Sequence, residues 1–277
     1  MTRRKRVFLV QRSPSVVLVT RMSDPFEPIN LLEMALKDAT DDPAFRPRFY
    51  GELLDSKVLI VPAGEKPRIV NGVVLKNTKI AIANIEFGGR SCIPFFTSEA
   101  RLPPGTEYLA LDARALFQMT RGAYLVMNPG AAYGKEFFPD EVSRLLDGSV
   151  FEPRERYVAQ KPMQVMIGQP SEYPKELVAA LSRLYGSIAE VKRAWVAFYQ
   201  NPERDKEGGL LIGVDVESRD MDRISGQSGI VIEGVPKKQK YVDLVRYDGS
   251  GVSGYFSNQK PFYQRSAIRQ FLSKFTQ

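Results

Sequence analysis

The chain contains no histidine among its 277 residues. That absence removes the Ser-His-Asp triad, the Cys-His dyad, imidazole-ligated zinc or iron and the histidine proton shuttle. Cysteine is almost as scarce: Cys92 stands alone, so no disulfide can form within the chain, which reads as made for a reducing compartment, the cytoplasm, or as indifferent to redox state. No apolar run approaches the roughly 18–20 residues needed to cross a bilayer, so membrane insertion is not expected. No Gly-Lys-Ser/Thr phosphate loop occurs, and nothing in the residues calls for a cofactor or a metal. An enzyme built on this chain would have to work through carboxylates, lysine, tyrosine or the one thiol.

What is present is ordinary for a folded chain, with 43% hydrophobic and 26% charged residues and a length that suits two domains of usual size. The formal net charge of +7 is unevenly placed. Residues 1–21 hold Arg3, Arg4, Lys5, Arg6, Arg12 and Arg21 and no acid; setting those six aside leaves 33 basic against 32 acidic residues. The body is therefore neutral and the basicity belongs to a tail. The run 7–10 is too short for the roughly 7–15 apolar residues of a signal peptide, and Thr2-Arg3-Arg4 comes near a twin-arginine signal without that run. Three readings of the tail stand: a disordered basic arm, an extra strand packed on the body, or a misassigned start ahead of Met22.

After Met22 the pattern alternates helices with short strands. Ile29, Leu32, Leu36 and Ala39 make an apolar helical face behind Pro28, and Phe45, Phe49, Leu53 and Leu54 a second, whose start Pro47 blurs. Strands are expected at 58–62, 73–75, 79–83, 92–96, 108–111 and 123–127. Helices are expected after Asp112 and over 139–146, the latter ended by Gly148. The charged, proline-bearing stretch at 151–162 reads as a linker. Beyond it the order restarts as strand 163–167, helix 174–185, strands 191–199 and 210–216, a glycine-weakened helix over 220–234, and strands at 241–246 and 252–256. A helix with Ile268, Phe271, Leu272 and Phe275 on one side closes the chain. The expected class is α+β in two domains, 22–150 and 163–277, each a mixed sheet with helices. The βαββαβ order suggests a ferredoxin-like, split βαβ arrangement for the second.

The segment 31–62 (LLEMALKDATDDPAFRPRFYGELLDSKVLIVP), the run IPFFTSEA at 93–100 and Asn128-Pro129 ahead of FFPDEVSRLL resemble the N-terminal domain of the SseB family, the enhanced-serine-sensitivity proteins. VMIGQPSEYPKELVAALSRLY at 165–185, the VKRAWVAFY that follows and Phe262-Tyr263-Gln264-Arg265 resemble its C-terminal domain. Gly168-Gln169-Pro170 with Tyr173-Pro174 is the most specific part. The resemblance implies the two-domain division. It implies no catalytic residue and no cofactor, because the family takes its name from a phenotype.

Candidate chemistry is sparse. Gly249, Gly251 and Gly254 match the bare dinucleotide spacing G-x-G-x-x-G, but the segment after them reads as extended chain and the turn as a hairpin. Cys92, with Arg90 two residues away, is a candidate nucleophile or a buried apolar residue. The acid pairs Asp140/Glu141 and Asp215/Glu217 are explained by a helix N-terminus and a solvated strand face. Lys192, Arg193, Trp195, Phe198 and Tyr199 have the composition of a single-strand nucleic-acid platform without a basic body behind it. The expected role is thus a noncatalytic protein-binding or regulatory module with an unidentified protein partner. Thr97, Ser98, Glu99, Gly168, Gln169, Pro170 and Tyr173 form its candidate interaction surface. The alternatives are an enzyme using carboxylates or Cys92, and nucleic-acid binding through the tail.

Overall fold

The computed structural model describes residues 26–64, 69–70, 73–74, 81–153, 164–201 and 207–266. The basic arm at 1–21, the linker from 154 onward and the closing helix from 267 onward lie outside the described residues. Two mixed sheets with helices give an α+β architecture. Among the described residues contacts gather in two compact units: those up to Met34 with those of Leu53–Leu146, and Ala35–Glu52 with those from Asp147 onward.

The apolar periodicity after Pro28 folds as α1 (Leu31–Asp41), with Leu32, Leu36 and Ala39 buried while Ile29, ahead of the helix, stays exposed. Asp42 then accepts a hydrogen bond from the Ala44 amide and starts a short 3-10 turn at Pro43–Phe45. That turn leads into α2 (Arg46–Asp55), where Pro47 sits in the first turn and disrupts nothing.

The sheet of the first unit uses β1 (Lys57–Ile60), with β2 (Ile69–Val70) and β3 (Val73–Val74) forming a separate ribbon. It continues through β4 (Ile85–Phe87), β5 (Arg90–Phe96), β6 (Leu109–Asp112), β7 (Leu125–Met127) and β8 (Lys135–Phe137). The order is β6-β1-β5-β7-β8, with β4 beside β5. Gly88 and Gly89, at φ 57° and 77°, form the two-residue turn between β4 and β5, which needs left-handed backbone at both positions. Of the strand expected at 79–83 only 81–83 are among the described residues, and there Ile82 forms a bridge with Pro62. α3 (Ala113–Met119) and α4 (Pro139–Asp147) complete the unit, and Gly148 at φ 83° ends α4. The core centres on Phe95, Phe117 and Phe137, whose ring centroids lie 5.7–6.0 Å apart. β5 and β7 are parallel, with Ile93 opposite Leu125, so their C-terminal ends open side by side at Thr97 and Asn128.

The second unit holds β9 (Met166–Gly168), α5 (Lys175–Ser187), β10 (Arg193–Gln200), β11 (Gly209–Asp215), α6 (Met221–Glu233), β12 (Val242–Arg246) and β13 (Tyr263–Gln264). The βαββαβ sequence order is present, but the ferredoxin-like sheet is not. That arrangement places the first strand between the third and fourth, whereas here β11 pairs directly and in parallel with β12, Leu210 opposite Val242. β9 instead lies antiparallel on the far end of β10, at Phe198–Gln200. One further expectation is met and one is corrected. The helix expected over 220–234 is α6, and its glycine at 226 lets it approach the Phe151 backbone, whose carbonyl a Cβ there would overlap. The segment 252–256 is no strand but part of a 3-10 helix, Gly251–Asn258. Asp248 sets that turn by accepting from the Ser250 amide (2.9 Å), the Ser250 hydroxyl (2.7 Å) and the Ser253 hydroxyl (2.9 Å).

Candidate functional site

A polar cluster of the first unit grows from the capping of α1. Asn30 accepts the Glu33 amide at 2.8 Å, and the Glu33 carboxylate reaches back to the Ile29 amide at 3.1 Å, a variant of the Asn-x-x-Glu capping box. The carboxylate lies inside, fully buried, at the ends of β5 and β7. There Thr97 and Ser98 each donate a hydroxyl to it at 2.7 Å, and Arg101 grips both oxygens, Nε at 3.1 Å and a terminal nitrogen at 2.8 Å. Asn128 completes the web: its side-chain oxygen accepts the Thr97 amide at 3.0 Å and its amide nitrogen donates to the Thr97 hydroxyl at 3.0 Å. It holds this position with φ at 48°, a left-handed conformation that asparagine tolerates. Burial alone would raise the Glu33 pKa, but the bonds from Arg101, Ser98, Thr97 and the Ile29 amide outweigh it and lower the value from 4.5 to about 2. Glu33 is therefore an anion at neutral pH, its oxygens filled by donors, and works as a pin joining three chain segments.

Arg101 also fixes the entry of the chain. Its guanidinium lies 3.9 Å from the Phe26 ring centroid and donates to the Glu27 carbonyl, while Phe26 packs on Tyr133 with centroids 4.8 Å apart.

Of the surface expected from sequence, Thr97 and Ser98 belong to this web, and Glu99 is exposed and accepts the Tyr108 hydroxyl. In the second unit Gln169 is exposed and donates to the Gln259 side chain at 2.8 Å. Gly168 and Pro170 are half-buried beside it, and Tyr173 is 46% exposed. Sequence reasoning missed Glu33, Asn30 and Arg101. The signal was there: an acid beside Leu32 and one turn before Leu36 stands on the apolar face, and Asn30 three residues earlier completes a capping signature.

The other candidates have local explanations. Cys92 is buried, and burial with the charge of Glu136 pushes its thiol up to about 11, opposite to what a nucleophile needs. Arg90 does not acidify it; its guanidinium lies 5.8 and 5.7 Å from the Tyr124 and Phe138 rings. Glu141 pairs with Lys135 at 2.9 Å, Asp215 with Arg193 at 2.8 Å and Glu217 with Lys192 at 3.3 Å. Trp195 and Tyr199 are buried, and the indole donates to the Gln259 carbonyl at 2.9 Å, so neither ring offers a face for a base to stack on. A cleft of about 440 Å³ runs beside the 128–134 loop, with Phe87, Val126 and Glu136 among its walls. Its Lys135 and Glu136 are engaged elsewhere, with Glu141 and with the Tyr124 hydroxyl.

The family models described as SseB protein N-terminal domain and SseB protein C-terminal domain match residues 32–144 and 159–265. Protein SseB of Escherichia coli (strain K12) and Protein SseB of Shigella flexneri are each 28% identical over 246 residues, covering 85% of this chain and 92% of theirs. No solved structure matches at a significant level. With both of its domains matched in order along most of its length, the chain belongs to the SseB family.

Proposed function

We propose that this SseB-family chain is a noncatalytic module that binds or regulates a protein partner, with the cytoplasm as its compartment. The observation that carries the reading is the closed Glu33 cluster. The crevice at the ends of two parallel strands is where open α/β sheets place ligands, and here it is filled by a carboxylate whose oxygens are occupied by Arg101, Ser98, Thr97 and the Ile29 amide. Such a group holds loops in place and has no proton to exchange at neutral pH. In this reading the exposed side chains at the edges of the family motifs, Glu99 and Tyr173, meet the partner, while Thr97, Ser98, Gly168, Gln169 and Pro170 shape the backbone beneath them.

The test is affinity purification of the full chain followed by mass spectrometry, run in parallel with Glu99→Lys and Tyr173→Ala. Both side chains are exposed, so both variants keep the parent melting temperature; a partner recovered with the parent and lost with either variant supports the surface. Turnover in a substrate screen that vanishes in Cys92→Ser would replace this reading with the enzymatic one.

A further inference from the structure

β12 (Val242–Arg246) is the last strand of its sheet: it runs parallel to β11 on one side, and among the described residues no strand lies against the other. The direction of its backbone groups follows from two bonds at its ends, the Leu210 amide to the Tyr241 carbonyl at 3.1 Å and the Tyr247 amide to the Val214 carbonyl at 2.8 Å. Residues 241, 243, 245 and 247 therefore serve the ladder with β11, and the amides and carbonyls of Val242, Leu244 and Arg246 turn outward. Val242 and Leu244 pack with the α5 and α6 core on one face of the sheet, and Tyr241, Val245 and Tyr247 pack on the other. All five residues of the strand are only half-buried. The strand contains no proline and its register with β11 is unbroken by a bulge, so two devices that blunt an edge are missing from it.

We propose that this edge pairs with the same edge of a second copy of the chain, antiparallel about a two-fold axis at Leu244. An isologous contact demands a strand complementary to its own reverse. The charges around β12 meet that demand in this register. With Leu244 facing Leu244 of the copy, Val242 lies opposite Arg246, Asp243 opposite Val245, Tyr241 opposite Tyr247 and Lys240 opposite Asp248. No like charges meet, and an opposite pair stands on each side of the axis. An axis at 243 would set Asp243 against itself and Lys240 against Arg246; one at 246 would set Arg246 against itself; one at 245 would carry Val242 past the strand to Asp248. In the favoured register the outward-turned residues pair only with one another, which gives about six hydrogen bonds and one continuous sheet with the helices of both copies on the same side. Two strands of this length make a contact well below the roughly 1,600 Å² of a standard interface, so the dimer is reversible and its population follows concentration.

The experiment is sedimentation equilibrium of the full chain from the micromolar to the millimolar range, where a monomer–dimer equilibrium is expected. Arg246→Pro deletes an amide that the monomer does not use and deletes it on both sides of the axis. It should keep the parent melting temperature and weaken dimerisation about ten-fold or more. Mild oxidation reads the register separately, with native Cys92 buried. Leu244→Cys sets a thiol opposite its own copy, with α-carbons about 5.5 Å apart, and should cross-link into a covalent dimer. Arg246→Cys, about 13 Å from its copy, should not. If the proline variant melts early, the two cysteine variants decide. A chain that stays monomeric throughout leaves the edge to an extended segment of a different protein and overturns the proposal. So does a dimer that a folded Arg246→Pro leaves as tight as the parent, or cross-linking as fast at 246 as at 244.

Discussion

The close approach of α6 to the backbone at Phe151 makes a sharp demand on two glycines three residues apart. A Cβ at Gly226 would overlap the Phe151 carbonyl carbon and oxygen and lie 2.7 Å from the Glu152 amide nitrogen, whereas a Cβ at Gly229 meets nothing within 4 Å. In a helix interior, alanine is favoured over glycine by about 1 kcal/mol. Gly229→Ala should therefore raise stability by about 0.5–1 kcal/mol. Gly226→Ala gains the same propensity but must push two main-chain segments apart, and overpacking costs about 1–3 kcal/mol or more. The obstacle is backbone and cannot rotate away, so the upper end applies and the variant should lose about 2 kcal/mol net. The two substitutions thus differ in sign and by about 3 kcal/mol in size. Urea unfolding followed by the fluorescence of Trp195, the single tryptophan of the chain and buried in the same unit, reads both as shifts of the midpoint at constant slope. Gly226→Ala as stable as its parent, or both variants destabilised alike, would refute the account of why this helix carries glycine.

Further outcomes follow from the same geometry. Glu33 has a lowered pKa, so its contribution to stability is complete above about 4.5 and disappears as pH falls through about 2. Melts between pH 5 and 2 should show this slope in the parent and a flatter one in Glu33→Gln, which should also lose about 3–5 kcal/mol at pH 7 by leaving Arg101 uncompensated. Cys92, raised to about 11 by burial and Glu136, should react with a disulfide reagent at pH 8 only after urea unfolding; rapid labelling of the native chain would contradict its placement. Arg265 donates to the Val191 carbonyl at 3.2 Å and to the Ile188 carbonyl beyond α5, so Arg265→Ala should lower stability by about 1.5–3 kcal/mol, seen in the same urea assay. A fragment beginning at Asp147 lacks Asp42, the partner of Arg183, and the Pro43 and Arg46 side chains that crowd Gly234. It should melt below the full chain and recover on addition of a peptide covering 35–52.

Much of the fold was legible because its longer elements bury one face at a regular period. α5, with Leu177, Leu181 and Leu184 inside, needed nothing beyond the sequence. β4 and β8 escaped because three residues are too few to display alternation, and each is held by a neighbour rather than by its own pattern. The extended reading of 252–256 failed because Val-Ser-Gly-Tyr-Phe fits a strand as well as a helical turn, and the Asp248 carboxylate decides between them. The glycines of α6 are legible as a helix penalty, but the reason for the one at 226, the Phe151 carbonyl against which it packs, lies far away along the chain. At the site, Thr97, Ser98 and Asn128 stood out as motif residues, but what they hold, Glu33, is 64 residues from Thr97 along the chain, a distance over which periodicity carries no information.

β11 carries glycine at 209 and 213, positions of like parity that share one face of the strand. A Cβ at 213 would lie 2.5 Å from the Phe256 ring, and one at 209 would run into the Tyr241 ring and lie 2.7 Å from its carbonyl oxygen. The strand is in effect a notched rail, each notch cut to the thickness of one aromatic ring. Neither side of such a fit can drift alone: a methyl group added to the rail evicts a ring, and a ring lost from the strap leaves a slot that water or a larger side chain must fill. Changes at 213 and 256, and at 209 and 241, should therefore be tolerated as pairs, a small residue gained on the rail against a slimmer one on the segment that covers it.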